Sequence, residues 1–196
     1  MEIEYKAYQG RAIESQFDAL AALRITVFRD YPYLYEGDVA YEREYLKTYS
    51  NAERALLFGA FCRNSLVGAT TCIPLEDETE EVKKPFWEAG MRLSEIFYFG
   101  ESILLPEFRG LGIGNKFFDA REAHAAGFGT FHSTCFCAVQ RPEDHPLRPE
   151  GYQPLDAFWT KRGYHKVPEL VSHFEWKDVG EPESTAKPMV YWMRNF

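Results

Sequence analysis

Several things are missing from this chain of 196 residues. There is no run of about 18 apolar residues, so no membrane-spanning helix is expected. The first residues, Met1-Glu2-Ile3-Glu4-Tyr5, lack the basic-then-apolar pattern of a signal peptide, and a cytoplasmic location is expected. Cysteine is scarce: Cys62, Cys72, Cys135 and Cys137 show neither zinc spacing nor a C-x-x-C pair. They read as free thiols, and no metal ion is expected. Positive charge is in deficit, with 22 Lys and Arg against 30 Asp and Glu, a net charge of -8. That argues against nucleic acid or an anionic membrane surface as a partner. It is compatible with a cationic substrate, but solubility alone explains most acidic proteins. No low-complexity tract or internal repeat occurs.

What is present is a large apolar and aromatic fraction, 45% hydrophobic and 16% aromatic. That is enough for a core, and one domain over residues 1–196 is expected. Residues 3–8 alternate as a first strand. Ser15-Gln16-Phe17-Asp18 reads as a capping box opening a helix that carries Leu20, Leu23 and Val27 on one face. Asp30-Tyr31-Pro32 stops it. A second helix is predicted from Asp38 to about Tyr49, with Tyr41, Tyr45 and Tyr49 one turn apart. Residues 55–62 and 66–73 form a hairpin around Arg63-Asn64-Ser65. Residues 74–84 are acidic and read as a loop or helix entry with a solvated face. A strand follows over 95–105, and Gly100 within it suggests a bulge or the close approach of another backbone. A helix ending near Gly127, a strand over 130–139, a short helix over 155–162 and strands over 171–176 and 188–193 complete the order. Alternation in the middle predicts a parallel pair there, with hairpins on either side.

The sharpest local signal is Arg109-Gly110-Leu111-Gly112-Ile113-Gly114, between a strand and a helix. Glycines free the backbone so that amide groups can face one concavity, and the helix adds the positive end of its dipole. Such a turn suits a phosphate or pyrophosphate, with Arg109 beside it. Asn115 stands where a Rossmann fingerprint needs its third glycine, and the G-K-[ST] of a P-loop is absent.

The segment from Ser102 through Pro106-Glu107-Phe108 to Gly114 resembles motif A of the GNAT superfamily of N-acetyltransferases. Ala157-Phe158-Trp159-Thr160-Lys161-Arg162-Gly163-Tyr164 is similar to that family's later A-x-x-F-Y-x-K-x-G-F element. The two stand in the family's order, and the likeness covers most of the chain. The resemblance implies an α/β (α+β) GNAT fold. That fold has a mixed, mostly antiparallel sheet, flanked by helices, whose central parallel strands splay to hold acetyl-CoA. It implies that the pyrophosphate sits on Arg109, Gly110, Leu111, Gly112, Ile113 and Gly114. It also implies that the pantetheine arm pairs with the backbone of Ser102, Ile103 and Leu104. The implied activity is transfer of an acetyl group to a primary amine, by direct attack in a ternary complex.

Such transfer needs a base for the amine, a stabilised oxyanion and an acid for the thiolate. Glu101 is the preferred base, since a carboxylate in an apolar strand is not needed for packing and burial raises its pKa. Glu95 is the second choice. Trp159 replaces the tyrosine that often serves as acid, and an indole N–H is no useful acid near neutrality. Tyr152 is the preferred substitute, with Tyr164 or water as alternatives. The long loop 140–153 is expected to cover the acceptor. His145 in it is another candidate base. Arg141 and Arg148 are candidates for a carboxylate of the acceptor or the 3′-phosphate of CoA. The expected acceptor is a small-molecule amine or amino-acid derivative, with tyrosines of 31–49 lining its pocket. A protein lysine or N-terminus and a non-catalytic CoA sensor remain open, and a homodimer is compatible with the sequence.

Overall fold

The computed structural model describes residues 2–196. The strands in chain order are β1 (Glu4–Gln9), β2 (Leu56–Cys62), β3 (Ser65–Pro74), β4 (Ile96–Leu104), β5 (Ser133–Val139), β6 (His165–Lys177) and β7 (Ser184–Asn195). They form one sheet in the order β1-β2-β3-β4-β5-β7-β6. Every neighbouring pair is antiparallel except β4 with β5. The helices are α1 (Phe17–Phe28), α2 (Val39–Asn51), α3 (Glu80–Glu88), α4 (Ile113–Ala126) and α5 (Asp156–Lys161). This is the mixed sheet with one central parallel pair that the sequence implied.

The two sheet faces have separate cores. Leu20, Leu46 and Tyr49 from α1 and α2 pack with Ile73, Tyr98, Ile103 and Tyr191. On the other face Phe118 and Ala125 of α4 pack with Phe97, Phe99, Phe136 and Trp192. Strand alternation explains the split, since successive side chains point to opposite faces. Cys135 and Cys137 duly share the α1–α2 face.

Four local expectations need correction. Ser15 does not cap α1: its Oγ donates to Ala12 O at 2.8 Å. A 3-10 turn over Gly10–Gln16 runs straight into α1, and Phe17 N–H donates to Glu14 O, so the helix enters from backbone already coiled. Tyr41 is 58% exposed and stands apart from the buried Tyr49, so the three tyrosines of α2 do not form one stripe. The acidic segment does form a helix, α3, despite Pro85 within it. Proline removes the bond to the carbonyl four residues back. Here Ser172 Oγ donates to that carbonyl, Glu81 O, at 2.7 Å. Finally, β6 and β7 reach well beyond the expected spans, because most of the first half of β6 is exposed and carries no apolar alternation.

The feature that positions the site lies in β4. Cys72 of β3 pairs with Phe99 and Thr70 with Ser102, so Thr71 stands opposite two residues, Gly100 and Glu101. This is a β-bulge, which re-aims the side chains around it. Gly100 is there for lack of room. A β-carbon on it would collide with the Tyr49 hydroxyl and come within 2.7 Å of Thr71 Oγ1. The close approach is by side chains, not by another backbone.

Gly100→Ala is therefore expected to destabilise the fold by about 1–3 kcal/mol through overpacking. In a Tyr49→Phe background the added loss is expected to shrink, because the colliding hydroxyl is gone. Denaturant unfolding of the two single variants and the double variant measures this. Strict additivity would remove the explanation.

Candidate active site

Strands β4 and β5 pair only over Ile96–Tyr98 and Ser133–Cys135. Beyond that they keep different partners. Residues 136–139 of β5 stay with β7, and Ser102 to Leu104 of β4 stay with β3. A V-shaped opening results, and one edge of β4 has no strand beside it. Leu105 N–H donates to Val67 O at 3.0 Å. In this register Ile103 also turns its main chain to β3, so Ser102 and Leu104 present theirs to the opening. Arg109 Nε donates to Leu104 O at 3.3 Å, which leaves Ser102 and the Leu104 N–H as free edge groups. The Ile103 side chain is buried in the α1–α2 core.

The opening leads to the glycine turn. Pro106–Phe108 make one 3-10 turn, and Arg109 is extended. Gly110 and Gly112 take φ of 77° and 80°, a region that β-branched residues avoid. Gly112 starts α4 with no side-chain cap, and the first amide of the helix with an intrachain acceptor is Asn115 N–H, on Gly112 O at 3.1 Å. Nothing lies within 4 Å of a β-carbon built on Gly110 or Gly112, so the turn faces open space. Arg109 and Lys116 stand exposed on either side of it. Lys116, in the first turn of α4, escaped the sequence reading. An uncapped helix end with left-handed glycines and two cations fits a pyrophosphate.

On the α1–α2 face the bulge aims the Glu101 carboxylate at α1. Arg24 donates to it through Nη1 and to Glu42 through Nε. Glu42 and Glu101 are 0% and 5% exposed, and each keeps one carboxylate oxygen without a partner. Burial pushes the Glu101 carboxyl above its ordinary 4.5, while Arg24 opposes that shift. Burial works against the Arg24 charge, but Glu101, Tyr45 and Glu42 outweigh it and hold the guanidinium protonated. Nearby, Tyr45 and Tyr49 hydroxyls meet at 3.2 Å, and Tyr49 donates to Glu78 at 2.8 Å. Sequence reasoning missed Arg24 and Glu42. The available signal was an arginine four residues after Leu20 on the apolar face of α1.

The other candidates sort by position. Glu95 pairs with Arg92 at 2.7 Å and precedes the closed end of the opening, away from the splayed edge. Tyr164 is 1% exposed, and its hydroxyl lies 2.9 Å from Thr134 Oγ1, so it is a core hydroxyl of the α4 face. Trp159 packs on Phe136 and Trp192 there, at 5.0 and 5.1 Å. Burial pushes Cys137 up to about 12, so this thiol stays protonated and is no nucleophile near neutrality. Arg141 is not free to receive a ligand. It grips Asp178 through both terminal nitrogens, at 2.7 and 2.9 Å, and donates to Pro32 O and Tyr33 O. Tyr33 O also accepts from Trp176 Nε1 at 3.0 Å. The loop after α1, the end of β5 and the end of β6 are thus clasped together. Tyr152 lies in the long loop and meets Tyr31 edge-on at 4.7 Å. Arg148 covers the Tyr152 ring at 5.6 Å, and His145 packs on Tyr31 at 5.7 Å. Among the described residues no hydrogen bond joins Glu101 to Tyr152, and no group of His, Cys, Asp and Glu could hold a metal ion.

No family model matches the sequence, and no curated protein matches it. Solved structures do. NAA60 from Arabidopsis thaliana, in complex with a bisubstrate analogue, is 11% identical with a TM-score of 0.62, over 100% of this chain and 99% of that one. Ribosomal-protein-alanine N-acetyltransferase from Brucella melitensis is 13% identical with a TM-score of 0.59, over 100% of both chains. An acetyltransferase of the GNAT family from Streptococcus pneumoniae is 10% identical with a TM-score of 0.57, over 98% and 100%. The chain has the GNAT fold. Within that fold the splayed strands and the glycine turn are the parts that the sequence likeness had pointed to.

The buried Glu78 makes a prediction about stability. Burial raises Glu78 above 4.5, against the pull of Thr79 N–H and Tyr49. A carboxyl whose folded pKa is raised stabilises most while protonated, and that contribution fades as pH rises through the folded value. Thermal unfolding is therefore expected to show Tm falling as pH rises from the ordinary carboxyl value, 4.5, toward the raised folded value. Glu78→Gln is expected to flatten that fall, and an unchanged slope would count against Glu78 as its source.

Proposed function

We propose that this chain is an N-acyltransferase of the GNAT type, acting as one unit over residues 1–196 in the cytoplasm. It would move an acetyl group from acetyl-CoA to a primary amine. The observation that carries this is the V between β4 and β5, whose open edge runs into an uncapped, glycine-rich helix start. The Ser102 and Leu104 backbone would pair with the amides of the pantetheine arm, as a strand edge pairs with an added strand. The amides of 110–114, with Arg109 and Lys116, would hold the pyrophosphate. Acetyl-CoA supplies the activated thioester carbonyl.

Direct attack fits the side chains. The amine must lose a proton, since a free alkyl amine has a pKa near 10. Glu101, through its unpartnered oxygen, is the proposed base. The new N–C bond forms as the C–S bond breaks, and the thiolate takes a proton from Tyr152 or water. Partial burial and Tyr31 raise Tyr152, so its hydroxyl carries its proton at neutral pH, the form a donor needs. The protonated Cys137 supports transfer without an acyl-enzyme.

The clasp on Arg141 bears on the acceptor. It ties Pro32 and Tyr33 to Asp178 across the α1–α2 side of the opening. A small amine or amino-acid derivative passes beneath such a tie end-on. A lysine within a chain needs an open groove for the backbone on both sides of it. A chain-end α-amine is the second reading, because the Brucella neighbour is named for an alanine of ribosomal proteins.

Thermal shift with acetyl-CoA and a panel of amines read by mass spectrometry test this reading. Acetyl-CoA is expected to raise Tm, and Gly112→Val to abolish that rise while the protein stays folded. Binding without turnover of any amine would support a CoA sensor instead. The pair Arg141→Gln with Asp178→Asn removes both partners of the buried grip. It is expected to raise acetylation of peptides with internal lysine relative to small amines. An unchanged preference would dismiss the clasp as a filter.

A further inference from the structure

Glu101 is not a lone carboxylate, and its surroundings are more specific than a base requires. We propose that Glu42 and Arg24 form a positioning relay that fixes the orientation and charge of Glu101 for proton removal from the acceptor. The proposal rests on the acyltransfer reading above.

The geometry has three parts. Arg24 reaches Glu101 through Nη1 and Glu42 through Nε, so one planar fork spans two carboxylates. The flat faces of the guanidinium are held as well: its centre lies 4.5 Å from the Tyr45 ring and 5.1 Å from the Phe28 ring. Arg24 therefore has little freedom to rotate away. Glu101 spends only one oxygen on Arg24, and the other stays without a partner. Its backbone is fixed too. Its N–H donates to Thr71 Oγ1 at 3.2 Å, while its carbonyl accepts from Thr70 Oγ1 at 2.7 Å and from Arg121 at 3.4 Å. A buried carboxylate held at one oxygen and unpaired at the other has the form of a positioned acceptor.

The charges divide the labour. The ionisable groups around Glu101 are Arg24 on α1, Glu42, Tyr45 and Tyr49 on α2, Glu78 ahead of α3, and Arg121 on α4. Burial favours the protonated, non-basic form of Glu101, and Arg24 opposes that shift. An arginine bound to Glu101 alone would make the carboxylate too weak a base. Glu42 takes the other edge of Arg24 and moderates it. Nothing else in the fold needs a guanidinium here: an apolar side chain at position 24 would fill the same space between Phe28 and Tyr45 without burying three charges.

Two variants should act in opposite directions. In Arg24→Gln the acid limb of the kcat–pH profile is expected to move to higher pH. Turnover near neutrality is expected to fall about tenfold and recover in alkali. In Glu42→Gln the limb is expected to move to lower pH. Carboxyl carbon NMR of the ligand-free protein, with Glu101 assigned through Glu101→Gln, should show its titration moving the same way in each. Arg24→Lys keeps the charge but not the fork. It is expected to titrate near wild type while losing turnover. If Arg24→Gln fails to fold, Glu42→Gln decides the matter. Wild-type turnover with an unmoved Glu101 titration in these variants overturns the relay and leaves the acyltransfer reading intact. No turnover by wild type on any amine overturns that reading, and the catalytic role of the relay with it.

Discussion

One extra residue in β4, opposite Thr71, aims the Glu101 carboxylate at α1 instead of α4. In an unbroken strand Glu101 would lie on the face opposite Gly100 and point toward Arg121 and Phe118. The bulge places both residues on the α1–α2 side, next to the point where β4 and β5 part. The same residue that lacks a side chain, Gly100, leaves the space into which the Tyr49 hydroxyl reaches. The opening between β4 and β5, the inward carboxylate and the tyrosine contact thus meet at one backbone irregularity. Remove it, and register would carry the carboxylate to the wrong face.

The second constraint is charge. Around Arg24, three carboxylates, Glu42, Glu78 and Glu101, are buried, and Arg24 pairs with two of them. Taking such groups out of water is unfavourable unless they are paired and hydrogen-bonded. An exposed pair such as Lys47 with Glu44 contributes little either way. The inward set is therefore a poor way to stabilise a core, and a sensible way to hold groups of controlled proton affinity. The opposite face makes the contrast. There Arg121 lies over Phe99 and Phe118, at 4.4 and 4.5 Å, with no ion pair to a carboxylate among the described residues.

The sequence was most legible where local rules decide. The hairpin at Arg63 and Asn64 has both turn residues at positive φ, as a tight two-residue hairpin demands. The second helix starts at Asp38, whose side chain accepts from Tyr41 N–H at 2.9 Å. The glycine turn was readable because only a few residue types tolerate its backbone. What could not be read were partners distant in sequence. Arg141 looked like a free cation in a polar loop, yet its partners lie at Pro32, Tyr33 and Asp178. Pro85 leaves the Glu81 carbonyl of its helix unbonded, and the hydroxyl that reaches it comes from Ser172. Tyr164 looked like a spare acid, and only the fold assigns its hydroxyl to Thr134.

The aromatic surplus now separates into two uses. On the α4 side Phe118, Phe136, Phe158, Trp159 and Trp192 pack ring against ring. On the α1–α2 side the rings are mostly tyrosines, and their hydroxyls point inward: Tyr45 to Tyr49, Tyr98 to Cys137, Tyr191 to Ser172. A buried hydroxyl requires a partner, so each such ring needs a polar neighbour that a phenylalanine would not. A core built only for stability has no reason to accept that demand repeatedly on one face. The asymmetry follows if this face must stay polar enough to admit an amine, while the other only has to support the helix that starts at the glycine turn.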